Sequence, residues 1–550
     1  MIERASAGWR PYALLSLLCL ALYLPGIAAL PPLDRDEARF AQATRQMLES
    51  GDYLRIRFQD EARNKKPVGI YWLQAASVAI VSDARSSAIW PYRLPSLVGA
   101  TAAVLLTFAL GSALVGRGAA LAGAALLACA LGVVVEAHLA KTDAMLLATV
   151  VAAQGALGIV YLRARRGGAP APWPWALLFW AAQGAGLLIK GPLTPLIALL
   201  TAGVLSLADR DARWLKGLHA HWGVPLMLAL AAPWFVAITA ATGGAFLGEA
   251  VGHDLLAKLT GAQEAHGAWP GYYLLLLAAT FWPGSLLIGP ALAWAWQSRA
   301  QAAERFLIAW LVPFWLVLEL VPTKLPHYIL PAYPALALLA GRAVVALGDG
   351  AVVRRRWLDG VAIALWAAVS LALAGALALL PGRFGSGYDV AGLLAAALLL
   401  NLAGWLAVAA WRGGPALAAT TAALALIAVA PAFHRVAPEL DKLWLSRAAA
   451  AMVARYQPPR DAPVAAVGYR EPSLVFLLGT ATRFLAPDAA ADYITSARGA
   501  AALVSDREDA AFRQALQARG WEPRAVERVT GLDYSNGQRM TLTLYTGAPS

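Results

Sequence analysis

The chain has 550 residues, of which 59% are hydrophobic and only 14% are charged, and its mean hydropathy is +0.58. A soluble domain carries about 25% charged residues, so this composition excludes a set of ordinary globular cores and indicates an integral membrane protein. The net charge of +12 falls in short clusters between apolar runs, a pattern of membrane topology that argues against nucleic-acid binding. Cys19 and Cys129 lie inside apolar runs, so no disulfide framework is predicted.

Apolar runs long enough to cross roughly 30 Å of hydrocarbon predict about thirteen transmembrane helices. These runs lie at 11–30, 94–115, 118–135, 144–162, 172–189, 193–208, 223–241, 271–296, 306–321, 328–347, 357–380, 390–411 and 415–432. The fold class that follows is a polytopic α-helical membrane protein. No internal repeat is visible, so nothing favours the inverted-repeat construction of many transporters.

The charged loops predict the orientation. With the amino terminus in the cytoplasm, most Arg-rich loops fall on the inner side. They are Arg10, Arg117, 163–168, 209–216, 298–305, 354–356 and Arg412. The outer side then holds 31–93, 136–143, 190–192, 242–270, 322–327, 381–389 and everything after 433. A cleavable signal peptide is the alternative interpretation of residues 1–30, and the first loop lies outside in either case.

The first outer loop, 31–93, predicts two short helices. Apolar residues recur at helical spacing from 37 to 49, with polar residues on the opposite side, which is typical of a helix lying in the membrane interface. A second helix is predicted from 70 to 81, where Tyr71 and Trp72 are interfacial anchors. The loop is therefore expected to be structured.

The tail after residue 432 changes character. Strand-length apolar runs at 463–469, 501–506 and 540–547 surround a helical pattern at 507–520, and Asn536-Gly537 signals a hairpin before the last strand. We therefore predict a membrane domain at 1–432 and a small soluble α/β domain at 433–550. The orientation places this second domain on the outer side of the membrane, which is the periplasm in the bacterial family that the motifs below resemble.

Five charged residues directly follow the first apolar run: Asp34, Arg35, Asp36, Glu37 and Arg39. The local interpretation is that Asp34 caps the following helix, that Glu37 is its capping-box partner, and that Asp36 complements the helix dipole. Other outer loops carry polar residues too. These are Glu136, His138, Lys141 and Asp143, then Lys190, and then Lys324, His327 and Tyr328. Together they predict a polar cavity whose cations suit an anionic lipid phosphate.

Several of these motifs carry a resemblance to a known family. They are "DEARF" at 36–40, "GDYL" at 51–54, "KKPVGIYWLQAAS" at 65–77, "AKTDAML" at 140–146 and "KLPHYILP" at 324–331. The set resembles the lipid-linked sugar transferases of the glycosyltransferase C superfamily. It is most similar to the bacterial 4-amino-4-deoxy-L-arabinose transferases that modify lipid A, which are relatives of the protein O-mannosyltransferases. One departure is Lys65, at a position that is often acidic in these relatives.

The resemblance implies roles for individual residues. Asp36 and Asp143 match the two acids placed at the reaction centre, and Lys66 and Tyr328 match groups that hold the polyprenyl phosphate of the donor. Further candidates for the same substrate site are Lys324, His327, Lys141, Glu37 and Tyr71. The implied reaction is sugar transfer from undecaprenyl phosphate to lipid A, outside the bacterial inner membrane. Asp36 would orient the sugar of an anionic phosphate acceptor, or act as general base for a hydroxyl acceptor.

The sequence also leads to expectations about binding partners and cofactors, and it leaves alternative functions open. Beyond the donor, the lipid A acceptor and membrane lipids, no partner is expected, and we expect a monomer. No cofactor is required, although His253, Asp254, Glu264 and His266 leave a divalent metal open. The alternatives are transfer to a protein hydroxyl, a polyprenyl-lipid flippase or transporter, and a scaffold whose tail recruits other proteins.

Overall fold

The structure is a computed structural model. It describes residues 6–33, 35–83, 86–167, 171–250, 267–352, 354–412, 417–456, 463–496, 499–534 and 536–546. Up to residue 431 the described chain is almost entirely helical. Its main helices are Arg10–Tyr23, Arg35–Ser50, Gly69–Val81, Trp90–Val115, Arg117–Cys129, Leu131–Ala137, Asp143–Arg165, Trp173–Lys190, Leu193–Asp209, Ala220–Ala241, Tyr272–Thr280, Ile288–Gln297, Ala302–Leu320, Tyr333–Gly348, Arg356–Phe384, Val390–Arg412 and Leu417–Pro431.

Seven described helices are long and apolar enough to cross a membrane, and two bent helix pairs raise the number to nine. The seven are Trp90–Val115, Asp143–Arg165, Ala220–Ala241, Pro326–Gly348, Arg356–Phe384, Val390–Trp411 and Thr420–Glu439. A polytopic helical membrane fold is therefore confirmed. Each of the thirteen predicted ranges overlaps a described helix or bent pair, but the number of thirteen spans stays a prediction.

The helices pack closely because small residues line their contacts. A Cβ atom on Gly341 would lie 2.1 Å from the backbone oxygen of Ala119, and one on Gly123 would lie 2.7 Å from that of Ala337. Only glycine permits this approach of two backbones, which is a common basis of helix association in membranes. The tight bundle supplies a rigid base for the outer loops.

The two predicted helices of the first loop are confirmed as Arg35–Ser50 and Gly69–Val81. We call the first of them the Asp36 helix. Asp36 and Glu37 lie in its first turn, where carboxylates stabilise the exposed backbone N–H groups of a helix start. Its apolar face, with Phe40 and Met47, packs on the second loop helix and on Trp234 of a later helix. This packing fixes the orientation of the Asp36 helix and therefore of its charged face.

The carboxy-terminal region folds around a five-stranded mixed sheet. The strands are β3 Ala465–Val467, β4 Arg483–Phe484, β5 Ala501–Ser505, β6 Ala525–Asp533 and β7 Gln538–Thr546. Their order in the sheet is β4-β3-β5-β7-β6, with β3 parallel to β4 and β5, and with β7 antiparallel to β5 and β6. A short hairpin in the first loop supplies β1 Arg57–Phe58 and β2 Glu61–Ala62.

Four helices accompany this sheet: Leu445–Tyr456, Pro472–Leu478, Pro487–Ser496 and Asp509–Ala518. Apolar side chains are buried on both faces of the sheet, which explains why β3 and β5 read as continuous apolar runs. The predicted strands, the helix at 507–520 and the hairpin around Asn536-Gly537 all occur. The hairpin loop is longer than a two-residue turn, because Asp533 pairs with Gln538.

Candidate active site

The first half of the site surrounds Asp36. Its Oδ1 lies 3.6 Å from Nη1 of Arg39, one turn further along the same helix, and 3.9 Å from Nη2 of Arg63. The Asp36 side chain is 45% exposed, so a substrate can reach it. The carboxylate is thus accessible but lies between two guanidinium groups.

Arg63 is held in place by two aromatic side chains. Its Nε donates a hydrogen bond of 3.3 Å to the hydroxyl of Tyr71, and its guanidinium lies 5.1 Å from the centre of the Phe40 ring. Tyr71 is fully buried and contacts Phe40, with 5.3 Å between the ring centres. A guanidinium that stacks on an aromatic ring loses little mobility on binding. Tyr71 therefore acts on the site through Arg63.

The pKa of Asp36 is lower than its ordinary value of 3.8. Burial raises this pKa, but nearby positive charges lower it by more. In decreasing order of effect, these charges belong to Arg63, Lys141, Arg39 and Lys66. Asp36 is therefore a carboxylate at neutral pH.

The second half of the site surrounds Asp143, which begins the helix Asp143–Arg165. Its Oδ1 accepts a short hydrogen bond from Nζ of Lys190, the last residue of the helix Trp173–Lys190. An acid at a helix start and a base at a helix end are each favoured by the helix dipole. Two helix termini of opposite polarity thus meet in this ion pair.

His327 and Tyr328 complete this half. Nε2 of His327 lies 3.9 Å from Oδ1 of Asp143, and Nδ1 lies 3.7 Å from Oε1 of Glu136. Glu136 also accepts a hydrogen bond of 3.4 Å from Nζ of Lys141. Nζ of Lys190 lies 5.2 Å from the centre of the Tyr328 ring. Three cationic or basic groups therefore surround two buried carboxylates.

Lys66 and Lys141 connect the two halves electrostatically. Both charges act on Asp36 from the first half, and both act on His327 from the second. Residues from four separate segments are thereby brought to one place. They are Asp36, Lys66, Lys141 and Asp143, and His327 with Tyr328. This grouping was expected from the outer placement of their loops.

Glu37 differs from its prediction as a substrate contact. The side chain is fully buried and forms a bidentate ion pair with Arg93, at 2.7 Å from Nε to Oε1 and 2.9 Å from Nη2 to Oε2. It also accepts hydrogen bonds from the backbone N–H groups of Leu33, at 2.7 Å, and Ala140, at 2.8 Å. Both oxygens are engaged by the protein, so Glu37 is a structural residue. The predicted capping box with Asp34 stays a prediction, because Asp34 lies outside the described residues.

Lys324 also differs from its prediction. Its Nζ donates hydrogen bonds to the backbone oxygens of Glu319, at 2.9 Å, and Val321, at the end of the helix Ala302–Leu320. A lysine in this position satisfies carbonyl groups that have no partner within the helix. Lys324 therefore caps a helix, and burial lowers its pKa.

Asp143 is 5% exposed and pairs with Lys190, whereas the Asp36 side chain is 45% exposed. The predicted catalytic role of Asp143 stays a prediction. The metal candidates His253 and His266, with Asp254 and Glu264, lie outside the described residues. Within the described part of the chain, no three His, Cys, Asp or Glu side chains are grouped closely enough to hold a metal ion.

Sequence reasoning left Arg39 and Arg63 out of the predicted site, and it assigned no partner to Lys190. Arg39 was assigned to the polar face of the Asp36 helix, although its spacing of three residues from Asp36 predicts an ion pair. Arg63 carries no comparable signal because its contact with Asp36 depends on the β1–β2 hairpin. Lys190 was included in the predicted polar cavity, but its ion pair with Asp143, 47 residues away, was not predicted.

The assembled side chains can bind a phosphate and stabilise a positively charged carbon. Ammonium groups and a tyrosine suit phosphate oxygens, and an accessible carboxylate between two arginines can orient a sugar or balance positive charge. Both kinds of group lie at the same end of the helix bundle. The site therefore suits the displacement of a phosphate from a sugar carbon.

Comparison with known proteins gives concordant findings. The family described as dolichyl-phosphate-mannose-protein mannosyltransferase matches residues 65–236. The chain is 32% identical over 371 residues to the undecaprenyl phosphate-alpha-4-amino-4-deoxy-L-arabinose arabinosyl transferase of Pseudomonas aeruginosa strain LESB58. That alignment covers 65% of each chain, slightly less than two thirds of the relative's length. The protein of the same name from Aeromonas salmonicida is 29% identical over 71% of this chain and 70% of its own.

Solved structures show the same fold. The crystal structure of ArnT from Cupriavidus metallidurans bound to undecaprenyl phosphate superposes with a TM-score of 0.75. The match covers 98% of both chains at 19% sequence identity. The apo structure of that protein gives a TM-score of 0.73 over 97% of both chains. The likeness therefore extends over the helical region and the carboxy-terminal sheet.

Proposed function

We propose that the chain is a member of the glycosyltransferase C superfamily that transfers 4-amino-4-deoxy-L-arabinose from undecaprenyl phosphate to a lipid A phosphate, because its sequence is similar to bacterial aminoarabinose transferases and its fold is that of a solved one. The observation that carries this proposal is the position of Asp36. This exposed carboxylate lies beside Arg63 and within the field of Lys66 and Lys141. Such a site offers one anionic group to a sugar and several cationic groups to its phosphate.

The cations would stabilise the leaving group. Transfer breaks the bond between the anomeric carbon and a phosphate oxygen, so a phosphodiester monoanion becomes a monoester dianion. Groups fixed near the developing charge lower the barrier, because the charge grows in the transition state. Lys66 and Tyr328 would bind this phosphate. The proposal is supported by the effect of the Lys66 charge on Asp36 and by the pair of Asp143 with Lys190, whose Nζ lies beside the Tyr328 ring.

Asp36 would act on the sugar. An oxygen of the lipid A phosphate is already anionic near neutral pH, since the second pKa of a phosphate monoester is about 6. Such a nucleophile needs no general base, and the new bond forms from that oxygen to the anomeric carbon. The Asp36 carboxylate then orients the ammonium group of the sugar and stabilises positive charge on the ring during displacement.

The arrangement in the membrane belongs to the same proposal. We place about thirteen spans in the bacterial inner membrane, with the Asp36 helix at the periplasmic interface and residues 433–550 in the periplasm. The prenyl chain of the donor would stay in the bilayer while its head group reaches Asp36 and Lys66. The enzyme would act as a monomer without a required metal.

The test uses the full-length protein. Cells with and without the gene are compared by mass spectrometry of lipid A, and the purified protein is assayed with synthetic undecaprenyl phosphate-aminoarabinose and lipid A. We expect pentosamine to be added to lipid A phosphate only when the protein is present. Unchanged lipid A alongside a glycosylated protein would contradict the proposal. That outcome would support a protein acceptor, which the match to the mannosyltransferase family makes the second candidate.

The pH dependence tests the charge of Asp36. Its pKa lies below 3.8, so it should lose its charge only on acidification through that lowered value, and it should stay ionised between about pH 5 and pH 8. The ratio of Asp36→Asn to unmodified activity should therefore be constant across this range. Titration of the acceptor phosphate changes both activities equally and cancels. A ratio that approaches one towards pH 5 would show that Asp36 is protonated there.

A further inference from the structure

The carboxy-terminal sheet domain contacts the Asp36 helix through the short helix Pro472–Leu478, which we call the clamp helix, and through residues on either side of it. Its Phe476 is fully buried, and it shares a cluster with Ala41 of the Asp36 helix, Tyr92 and Ala140. The rings of Phe476 and Tyr92 meet edge to face, with 5.4 Å between their centres. An aromatic side chain of the tail thus lies inside the first-loop structure.

Polar contacts extend this interface along the Asp36 helix. Nη1 of Arg45 donates a hydrogen bond of 3.0 Å to the backbone oxygen of Phe476, near the end of the clamp helix, where carbonyl groups need partners. Nε2 of Gln42 donates to Oγ1 of Thr480 at 2.7 Å, and that hydroxyl donates to Oε2 of Glu49 at 2.7 Å. Three successive turns of the Asp36 helix are therefore bound to the tail.

An ion pair joins the start of the Asp36 helix to the start of the clamp helix. Nε of Arg35 lies 3.4 Å from Oε2 of Glu471, the residue that precedes the clamp helix. Glu471 is 3% exposed, and a carboxylate so deeply buried requires a charged or hydrogen-bonding partner. Arg35 directly precedes Asp36 in the chain, so this pair acts at the first turn of the helix.

We propose that Glu471 and Phe476 are positioning residues for the transfer reaction, and that the carboxy-terminal domain is part of the active-site framework. Phe476 belongs to the same buried cluster as Ala140, whose neighbour Lys141 acts electrostatically on Asp36. The clamp helix thereby fixes the Asp36 helix and the Lys141 loop relative to each other. Neither residue contacts the substrate. Misplacement of a reacting group by about 1 Å can lower a rate about 100-fold, so this framework matters for chemistry.

The ion pair is tested with Glu471→Gln. We expect kcat to fall about tenfold or more while KM for the donor changes little, because donor binding depends on other segments. The matched control is Glu527→Gln. Glu527 pairs with Arg455 elsewhere in the same domain, at 2.5 Å from Oε1 to Nη2, so kcat should be unchanged. An unchanged kcat in Glu471→Gln, or an equal loss in both variants, would overturn the proposal.

Hydrogen exchange of the Asp36 helix gives a second readout that needs no sugar transfer. Backbone amides between residues 39 and 50 should exchange about tenfold faster in Phe476→Ala than in the unmodified protein, because the helix loses its anchor. The control is Phe512→Ala, which removes an equally buried ring from the other face of the sheet. It should loosen the domain without changing exchange in the Asp36 helix. Equal exchange of this helix in both variants would contradict the proposed clamp.

The kcat test rests on the proposed function, whereas the hydrogen-exchange test does not. Failure of the proposed function can therefore be distinguished from failure of the present inference. If the unmodified protein transfers no sugar, the proposed function fails, while hydrogen exchange still decides whether the tail fixes the Asp36 helix. If transfer occurs and kcat is unaffected by Glu471→Gln, only the present inference fails. A double variant, Arg35→Gln with Glu471→Gln, should lose no more kcat than either single variant, since both remove the same pair.

Discussion

Replacing Asp36 with Asn is expected to lower sugar transfer by about 100-fold or more. The amide keeps the shape of the carboxylate but removes its charge, so it neither binds the ammonium group of the sugar nor balances positive charge on the ring. Arg39 and Arg63 would then face the sugar without a compensating anion. The measurement is kcat/KM of the purified protein with the synthetic donor and lipid A.

The control for this variant is Asp60→Asn. Asp60 lies in the same loop, at the exposed turn of the β1–β2 hairpin, and should retain full activity. Transport or scaffolding would persist in Asp36→Asn, because neither requires charge stabilisation at a reacting carbon. Full sugar transfer by Asp36→Asn would therefore rule out the proposed role of Asp36.

Hydropathy and helical spacing predicted most of the fold. Each predicted apolar range overlaps a helix, and both first-loop helices begin within two residues of their predicted starts. The bends between Arg117–Cys129 and Leu131–Ala137, and between Tyr272–Thr280 and Gly284–Gln297, were not predicted. A hydropathy pattern reports how much apolar length is present, whereas bends depend on contacts such as the bond from Leu131 N–H to the oxygen of Trp282.

The sequence predicted where charged groups gather but not which groups bind each other. Orientation by the positive-inside rule placed Asp36, Lys66 and Asp143 on one side, and the structure brings them to one site. The positive-inside rule does not distinguish an exposed carboxylate from a buried one. Glu37 is adjacent to Asp36 in sequence, yet it turns inward to Arg93, which is 56 residues away.

The largest expected effect on stability is that of Glu37→Gln. Arg93 is fully buried and donates to both Glu37 oxygens and to the backbone oxygens of Ile27, Leu30 and Pro31. Removing the negative charge leaves the guanidinium uncompensated, and breaking such a buried pair costs about 3–5 kcal/mol of unfolding free energy. The measurement is unfolding of the purified protein in detergent, followed by circular dichroism.

A second variant separates the ion pair from its backbone contacts. Exchange of both residues for methionine removes both charges, which alone can be nearly neutral for a buried pair. Here it also strips three carbonyl groups of their donor and the N–H groups of Leu33 and Ala140 of their acceptor. We therefore expect the double variant to remain unstable, although no buried charge is left. Full recovery of stability would show that Glu37 serves only to neutralise Arg93, and that it does not tie the segment before the Asp36 helix to the Lys141 loop.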